Sequence, residues 1–270
     1  MDTVTWSGLT HPGRFRKNNE DAFLAINVRG REVRLLGKEG SSPIDEGDFI
    51  FAVSDGMGGA NAGEFASRIA VDYITKKLPE SYRLGAMGSE KGYHDFLTEL
   101  FDQVNTEMTN MSFHYEECRN MGATLSLCWF TRICMYFAHS GDSRIYHLPR
   151  AGGMKQLSHD HTHPGELFRK GKINERELRT HPEKHILWRS LGGKTKNIEP
   201  QLGAVEYEAG DRFVLNSDGI NDGIWDRRLE ELIRNPPARL KDLLPSERLV
   251  NYSLEESGRD NLTAIVVSIT

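Results

Sequence analysis

Phe49-Ile-Phe-Ala-Val-Ser-Asp-Gly-Met-Gly-Gly59 decides how this chain is read. Phe49 to Val53 is an unbroken apolar run, rich in aromatic and β-branched side chains, and reads as a buried strand. Asp55 follows where the strand ends, and Gly56, Gly58 and Gly59 permit a turn that residues with a Cβ resist. A helical pattern begins at once, with Phe65, Ile69 and Tyr73 recurring beside Ala66, Ala70 and Ile74. A carboxylate is thus held at the mouth of a rigid strand with bare backbone around it. Such a place suits a hard cation, which takes carboxylate and carbonyl oxygens alike. Asp-Gly is equally the chemistry of a tight hairpin turn, so the rest of the chain has to decide.

Outward from this stretch the pattern is mostly strands. Thr3 to Leu9 reads as a first strand and Ala22 to Ile26 as a second. Residues 30 to 48, rich in glycine and serine around Val33 to Leu36, suggest a hairpin excursion before the central strand. Gly85 to Gly92 reads as a loop, and Leu97, Leu100, Phe101, Val104, Met108 and Met111 trace one face of a long helix. Met121 to Phe130 and Ile133 to Ala138 read as consecutive strands, Ser140 to Ser143 as a turn, and Arg144 to Leu148 as a returning strand. Asn174 and Glu177 have the spacing of a helix cap. Arg212 to Asn216 is another strand, two short helical stretches flank Pro245, and Leu262 to Ile269 is a β-branched closing strand. Neighbouring strands with short connections favour antiparallel pairing. The expected class is α+β, a β-sandwich with helices packed outside. Neither an internal repeat nor a dividing linker is evident, so a single domain spanning residues 1–270 is expected.

Of 270 residues, 34 are basic and 39 acidic, a net charge of −5, and no basic block follows a nucleic-acid backbone. Cys118, Cys128 and Cys134 lack the pair spacing of zinc or redox sites and fit a reducing compartment. The start has neither the basic patch nor the apolar run of a signal peptide, and no apolar run is long enough to span a bilayer. A cytoplasmic protein with no nucleic-acid or membrane partner is expected.

Asp55, Asp142, Asp218 and Asp260 each stand against a strand end, and Glu20-Asp21 precedes another strand. Any one of them serves as a turn residue. Several converging would repel one another and raise one another's pKa unless a cation neutralised them. All-oxygen ligation favours Mg²⁺ or Mn²⁺ over zinc.

Arg16-x-x-Asn19-Glu20-Asp21, Ser54-Asp55-Gly56-Met57-Gly58-Gly59, Met121-Gly122-Ala123-Thr124, Ser140-Gly141-Asp142-Ser143-Arg144, Ser217-Asp218-Gly219 and Asp260-Asn261-Leu262-Thr263 occur together, in order. In that series the chain resembles the metal-dependent serine/threonine protein phosphatases of type 2C, bacterial branch. The resemblance runs from about Trp6 to the last strand. It implies two antiparallel sheets flanked by helices, a two-metal centre at one edge, and a flap at about residues 155–200. It also implies that Asp55 bridges two Mn²⁺ or Mg²⁺ ions and that Asp218 and Asp260 complete one site. Gly56, through its carbonyl, and Glu20, through water, would serve the other. Asp21 would support these ligands, and Asp142 would help hold a third, weaker ion. Arg16 would bind the substrate phosphate, whose oxygens a planar guanidinium matches in pairs. The implied reaction is in-line attack by a metal-activated water on phosphoserine or phosphothreonine, opposing a bacterial serine/threonine kinase. The expected partner is therefore a phosphoprotein, met by a monomeric enzyme. A catalytically silent relative that binds and regulates a partner is the alternative.

Relatives from eukaryotes commonly carry histidine after the first Asp-Gly; Met57 stands there and has no proton to donate, which leaves a metal-bound water as the acid. His159-Asp-His-Thr-His163 crowds three histidines together, but no cysteine or spaced second pair joins them, so they read as solvated or hydrogen-bonded. Gly192-Gly-Lys-Thr195 has Trp188 where a phosphate-binding loop requires glycine, and Asp222-Gly223 reads as a turn. Arg169, Lys170, Lys172 and Lys184 on the flap read as a solvated face, with phosphopeptide contact the sharper reading.

Overall fold

The structure is a computed structural model that describes residues 2–30, 32–58, 62–81, 89–193, 195 and 197–270. Gly59 and Gly85 to Gly88, read above as turn and loop, lie outside the described residues. The chain opens with β1 (Thr3–His11), β2 (Asp21–Arg29), β3 (Glu32–Leu35), β4 (Glu39–Pro43) and β5 (Asp48–Met57), followed by helices α1 (Ala62–Ser81) and α2 (Glu90–His114). Next come β6 (Gly122–Ala123), β7 (Leu125–Phe130), β8 (Cys134–Ser140), β9 (Arg144–Leu148) and β10 (Lys155–Gln156). The following segment carries α3 (His163–Arg169), α4 (Glu175–Thr180) and β11 (Leu191–Gly192). Then follow β12 (Gln201–Glu206), β13 (Arg212–Asn216), α5 (Asp218–Gly223), α6 (Asp226–Arg234), α7 (Pro245–Glu256) and β14 (Leu262–Ile269).

One sheet runs β10-β9-β13-β14-β1-β4. In the other, β5 lies between β2 and β7, with β3 beyond β2, and β8 and β12 beyond β7. All these pairings are antiparallel, as expected. The apolar run in β5 is explained by burial on both faces. Phe49, Phe51 and Val53 enter the layer between the sheets with Trp6, Phe130 and Phe213, while Ile50 and Ala52 meet the cluster formed by α1 and α2. A third apolar layer packs Leu229, Leu232, Leu249 and Val250 of α6 and α7 on Val214, Ala264 and Val266. The result is helices, sheet, sheet, helices.

Three local expectations change and a fourth is refined. The excursion after β2 is only half a hairpin: β3 pairs with β2, whereas β4 crosses to pair with β1 in the other sheet. Glu90 to Gly92 belong to α2, whose Ser89 side chain accepts the Gly92 N–H as a cap. On α1 the buried ridge is Ala62, Ala66, Ala70, Ile74 and Leu78, while Phe65 is exposed; small residues let the helix lie close on the sheet. Helical stretches lie on both sides of Pro245, α6 before it and α7 after, but the proline itself opens α7, where its missing N–H costs nothing. The cap at Asn174 is present, with a reciprocal Glu177 contact.

Candidate metal centre

The edge of the sandwich where β5, β8, β13 and the start of β14 come together holds the acidic residues. Arg16, Glu20, Asp55, Gly56, Asp142, Asp218 and Asp260 all line one cleft of about 300 Å³, joined by Met57, Thr124, His185 and Leu187. Each arrives by a different route. Asp55 sits near the end of β5, where its backbone N–H donates to Thr124 Oγ1 at 3.0 Å and its carbonyl accepts the Thr124 N–H at 2.8 Å. Thr124 interrupts the expected Met121 to Phe130 strand into β6 and β7, and its hydroxyl also meets Ser143 at 2.7 Å. This ties the Asp55 turn to the turn bearing Asp142. Asp218 is the first residue of α5, and Asp260 stands just ahead of β14.

Asn261 braces the first loop against the last strand. Its amide donates to the carbonyls of Pro12 and Asn18, and its oxygen accepts the Glu20 N–H at 2.8 Å. Arg16 reaches Asp260 Oδ2 at 2.7 Å, a contact that raises the guanidinium pKa. Gly56 accommodates a close crossing: a Cβ there would stand 1.9 Å from the Gly63 carbonyl oxygen. At Gly63 a Cβ would lie 2.7 Å from the Glu20 carboxyl and 2.9 Å from the Gly56 carbonyl oxygen. Two oxygens therefore converge over a glycine that leaves them room.

Electrostatically the cleft is under tension. Asp21 and Asp55 face each other directly across the β2–β5 ladder, an arrangement that like charges destabilise. Asp21 is buried; Ser217 Oγ donates to its Oδ2 at 2.6 Å, while Oδ1 has no hydrogen-bond partner among the described residues. Burial first, then Asp218 and Asp260, push the Asp21 pKa up to about 7 against the bonds from Ser217 and Thr263. Burial also drives Asp55 well above the carboxylate range, helped by Asp21, Asp218, Asp142 and Asp260. Asp142 is raised for the same reasons, burial and then Asp218, and burial raises Glu20 as well. A set of oxygens this crowded, one of them orphaned in the interior, fits divalent cations of the hard class.

His185, between α4 and β11, carries no mark in the sequence that singles it out. Its Nδ1 stands 3.5 Å from Asp218 Oδ2, and that contact raises its pKa. No periodicity marks it, since it lies in irregular chain after α4, where an isolated bridge between Thr162 and Leu187 and the Trp188 N–H to the His161 carbonyl hold the segment against the chain ahead of α3. Lys184 does not project freely but pairs with Asp222 at 2.7 Å, and Asp222-Gly223 is the end of α5 rather than a separate turn. Lys170 pairs with Glu166.

A four-layer sandwich with this cleft at its edge is the architecture of a metal-dependent protein phosphatase. The chain belongs to the protein phosphatase 2C family, whose sequence profile matches residues 40–257. It is 30% identical over 262 residues to protein phosphatase PhpP of Streptococcus pneumoniae, covering 97% of this chain and 96% of that protein. It is 29% identical over 269 residues to the serine/threonine protein phosphatase PstP of Mycobacterium tuberculosis, covering 98% of this chain but only 45% of that protein. The chain thus spans about half the length of that mycobacterial relative. It also superimposes on the crystal structure of the PstP catalytic domain in complex with two manganese ions, with a TM-score of 0.75, 26% identity and full coverage of both chains.

Proposed function

We propose that this chain is a protein serine/threonine phosphatase that hydrolyses phosphoserine and phosphothreonine with the aid of two Mn²⁺ or Mg²⁺ ions. The observation that carries this reading is the convergence of Glu20, Asp55, Asp142, Asp218 and Asp260 with Arg16 in one cleft. Asp55 would help hold both ions, Asp218 and Asp260 one of them, and the Gly56 carbonyl and, through water, Glu20 the other. Asp142 is assigned to a third, weaker one. Bound there, the ions supply positive charge to the phosphoryl oxygens and an acidified water as nucleophile.

The chain's own residues do the rest. Arg16 has one nitrogen engaged by Asp260, and its remaining N–H donors suffice for two phosphate oxygens. It is half exposed, so substrate reaches it without rearrangement of the core. Asp21 works from behind, filling the space opposite Asp55 and fixing β2 through Ser217. Met57 brings no proton donor, which leaves water and His185, in the same cleft, to protonate the leaving oxygen. Nothing in the comparisons favours the catalytically silent alternative, and each assigned side chain is present.

The remaining assignments extend the same reading. The whole of residues 1–270 forms one phosphatase domain that acts as a monomer on the targets of a serine/threonine kinase. Cys118, Cys128 and Cys134 are buried and free, which suits a reducing cytosol. Among the described residues no helix is long and apolar enough to cross a membrane.

The primary test is hydrolysis of a phosphothreonine peptide with Mn²⁺, then with a chelator. Turnover should require the ion; well-folded, metal-loaded protein without turnover would point to the regulatory binder. A second test addresses the crossing of β5 with α1. Gly63→Ala should displace the Glu20 carboxyl and raise the Mn²⁺ concentration for half-maximal activity about tenfold or more. An unchanged Mn²⁺ requirement would remove Glu20 and Gly56 from the ligand set.

A further inference from the structure

The histidines that the cleft leaves unused part company in the structure. His161 is buried and stacks on His139 with ring centres 5.0 Å apart, and its Nδ1 accepts the Gly141 N–H. His163 instead opens α3 and turns toward the chain that follows α4. There His163 Nδ1 stands 3.0 Å from Glu183 Oε2, and the His181 ring lies 6.0 Å from the His163 ring at 85°. One ligand atom from each of His163, His181 and Glu183 lies within 4.8 Å of the others. His181 and Glu183 are the spaced second pair that the sequence around His159 to His163 lacks.

We propose that His163, His181 and Glu183 form a binding site for a transition metal, zinc in the first place, on the flap and outside the catalytic cleft. Two imidazoles with one carboxylate are a zinc donor set, in contrast to the oxygens that suit Mn²⁺ or Mg²⁺ in the cleft. Zinc at about 2.1 Å from each ligand holds ligand atoms about 3.4 Å apart, so the widest separation, which is at most 4.8 Å, has to close by about an ångström. They are free to do so, since the His163 and Glu183 side chains are 55% and 49% exposed. The same exposure leaves a fourth position for water, which makes this an open site. Binding has a cost that can be named: His181 Nδ1 now accepts the Glu183 N–H at 3.2 Å, which puts the ring proton on Nε2. An ion taking Nε2 shifts that proton to Nδ1, which can then no longer accept the Glu183 N–H, so binding ends this contact.

The site is placed to be felt by catalysis. Glu183 is followed directly by Lys184, which holds Asp222, and His185, which stands against Asp218. An ion that joins the start of α3 to Glu183 fixes the loop carrying both.

The test is zinc titration calorimetry on the full chain in the presence of excess Mn²⁺, comparing wild type with His163→Ala and His181→Ala. Wild type should bind one zinc that each variant binds at least tenfold more weakly, while Mn²⁺-dependent turnover without zinc and the circular dichroism spectrum stay as in wild type. His163→Ala and His181→Ala come from different segments, so the failure of one to fold leaves the other informative. The same zinc stoichiometry and affinity in a folded variant, or no zinc bound by wild type beyond what both variants bind, overturns the proposal.

Discussion

Asp55→Asn is expected to lower turnover of a phosphothreonine peptide at least about a thousandfold, equivalent to about 4 kcal/mol of transition-state stabilisation, and at the same time to make the metal-free protein more stable. The two effects have one cause. Asp55 is the carboxylate that Asp21 faces across the ladder and that Asp218, Asp142 and Asp260 also surround. Asparagine has nearly the same shape, and the bonds that fix residue 55 run through its backbone to Thr124, so the turn is kept. What disappears is a charge that the folded, metal-free chain tolerates poorly. Relief of about 1–2 kcal/mol corresponds to a melting temperature about 3–6 °C higher for a chain of this size. Thermal denaturation at pH 8 in chelator reads this gain. With Mn²⁺ added the order should reverse, because wild type gains from ion binding and the variant gains little. A metal-free variant less stable than wild type, or one that retains turnover, would show that Asp55 is not where the cleft stores its tension.

Much of this cleft could be read from the chain because its parts sit at strand ends, where an acidic residue beside glycine leaves a local mark. Asp55, Asp142 and Asp218 each carry one, Asp260 has only its place ahead of a strand, and the structure brings all four to one cleft. What could not be read depends on contacts between distant residues. The opposition of Asp21 and Asp55 follows from the register of β2 on β5, which no local pattern prints. The role of Gly63 as a floor for Glu20 and the Gly56 carbonyl needs the approach of α1 to β5. Periodicity found the helix of α1, with Phe65, Ile69 and Tyr73 on one row and Ala66, Ala70 and Ile74 on the next, but not which row is buried: the sheet takes the alanine ridge and leaves Phe65 in solvent. His185 is the clearest miss. It has no regular element beneath it, and contacts with distant residues, the Thr162–Leu187 bridge and the Lys184–Asp222 pair, hold it in place.

The affinity for Mn²⁺ should climb steeply with pH between 6.5 and 8, by about tenfold per pH unit for each proton the ion displaces. In the metal-free fold, Asp21 titrates at about 7, and Asp55 and Asp142 are raised well above the usual range. A carboxyl raised in this way binds a proton in the folded state that the unfolded chain has already lost. Its contribution to stability is therefore complete below about pH 4 and is lost as pH rises through the folded value. His139 and His161 act in the opposite sense. Burial lowers them to about 4 and about 3, so their contribution is present above 6.5 and lost as pH falls. Above pH 6.5 they no longer change, and the carboxyls remain. His185, raised by Asp218, also loses its proton there, and a His185→Gln control removes its share. Titration calorimetry of Mn²⁺ in two buffers of different ionisation enthalpy counts the protons directly. At pH 7 about one or more should leave with each binding event, and the heat should differ between the buffers. Affinity independent of pH, with equal heats, would mean that the cleft holds its carboxylates ionised before the metal arrives. The repulsion between Asp21 and Asp55 would then have to be absorbed by the fold itself, and the gain expected for metal-free Asp55→Asn would grow larger still.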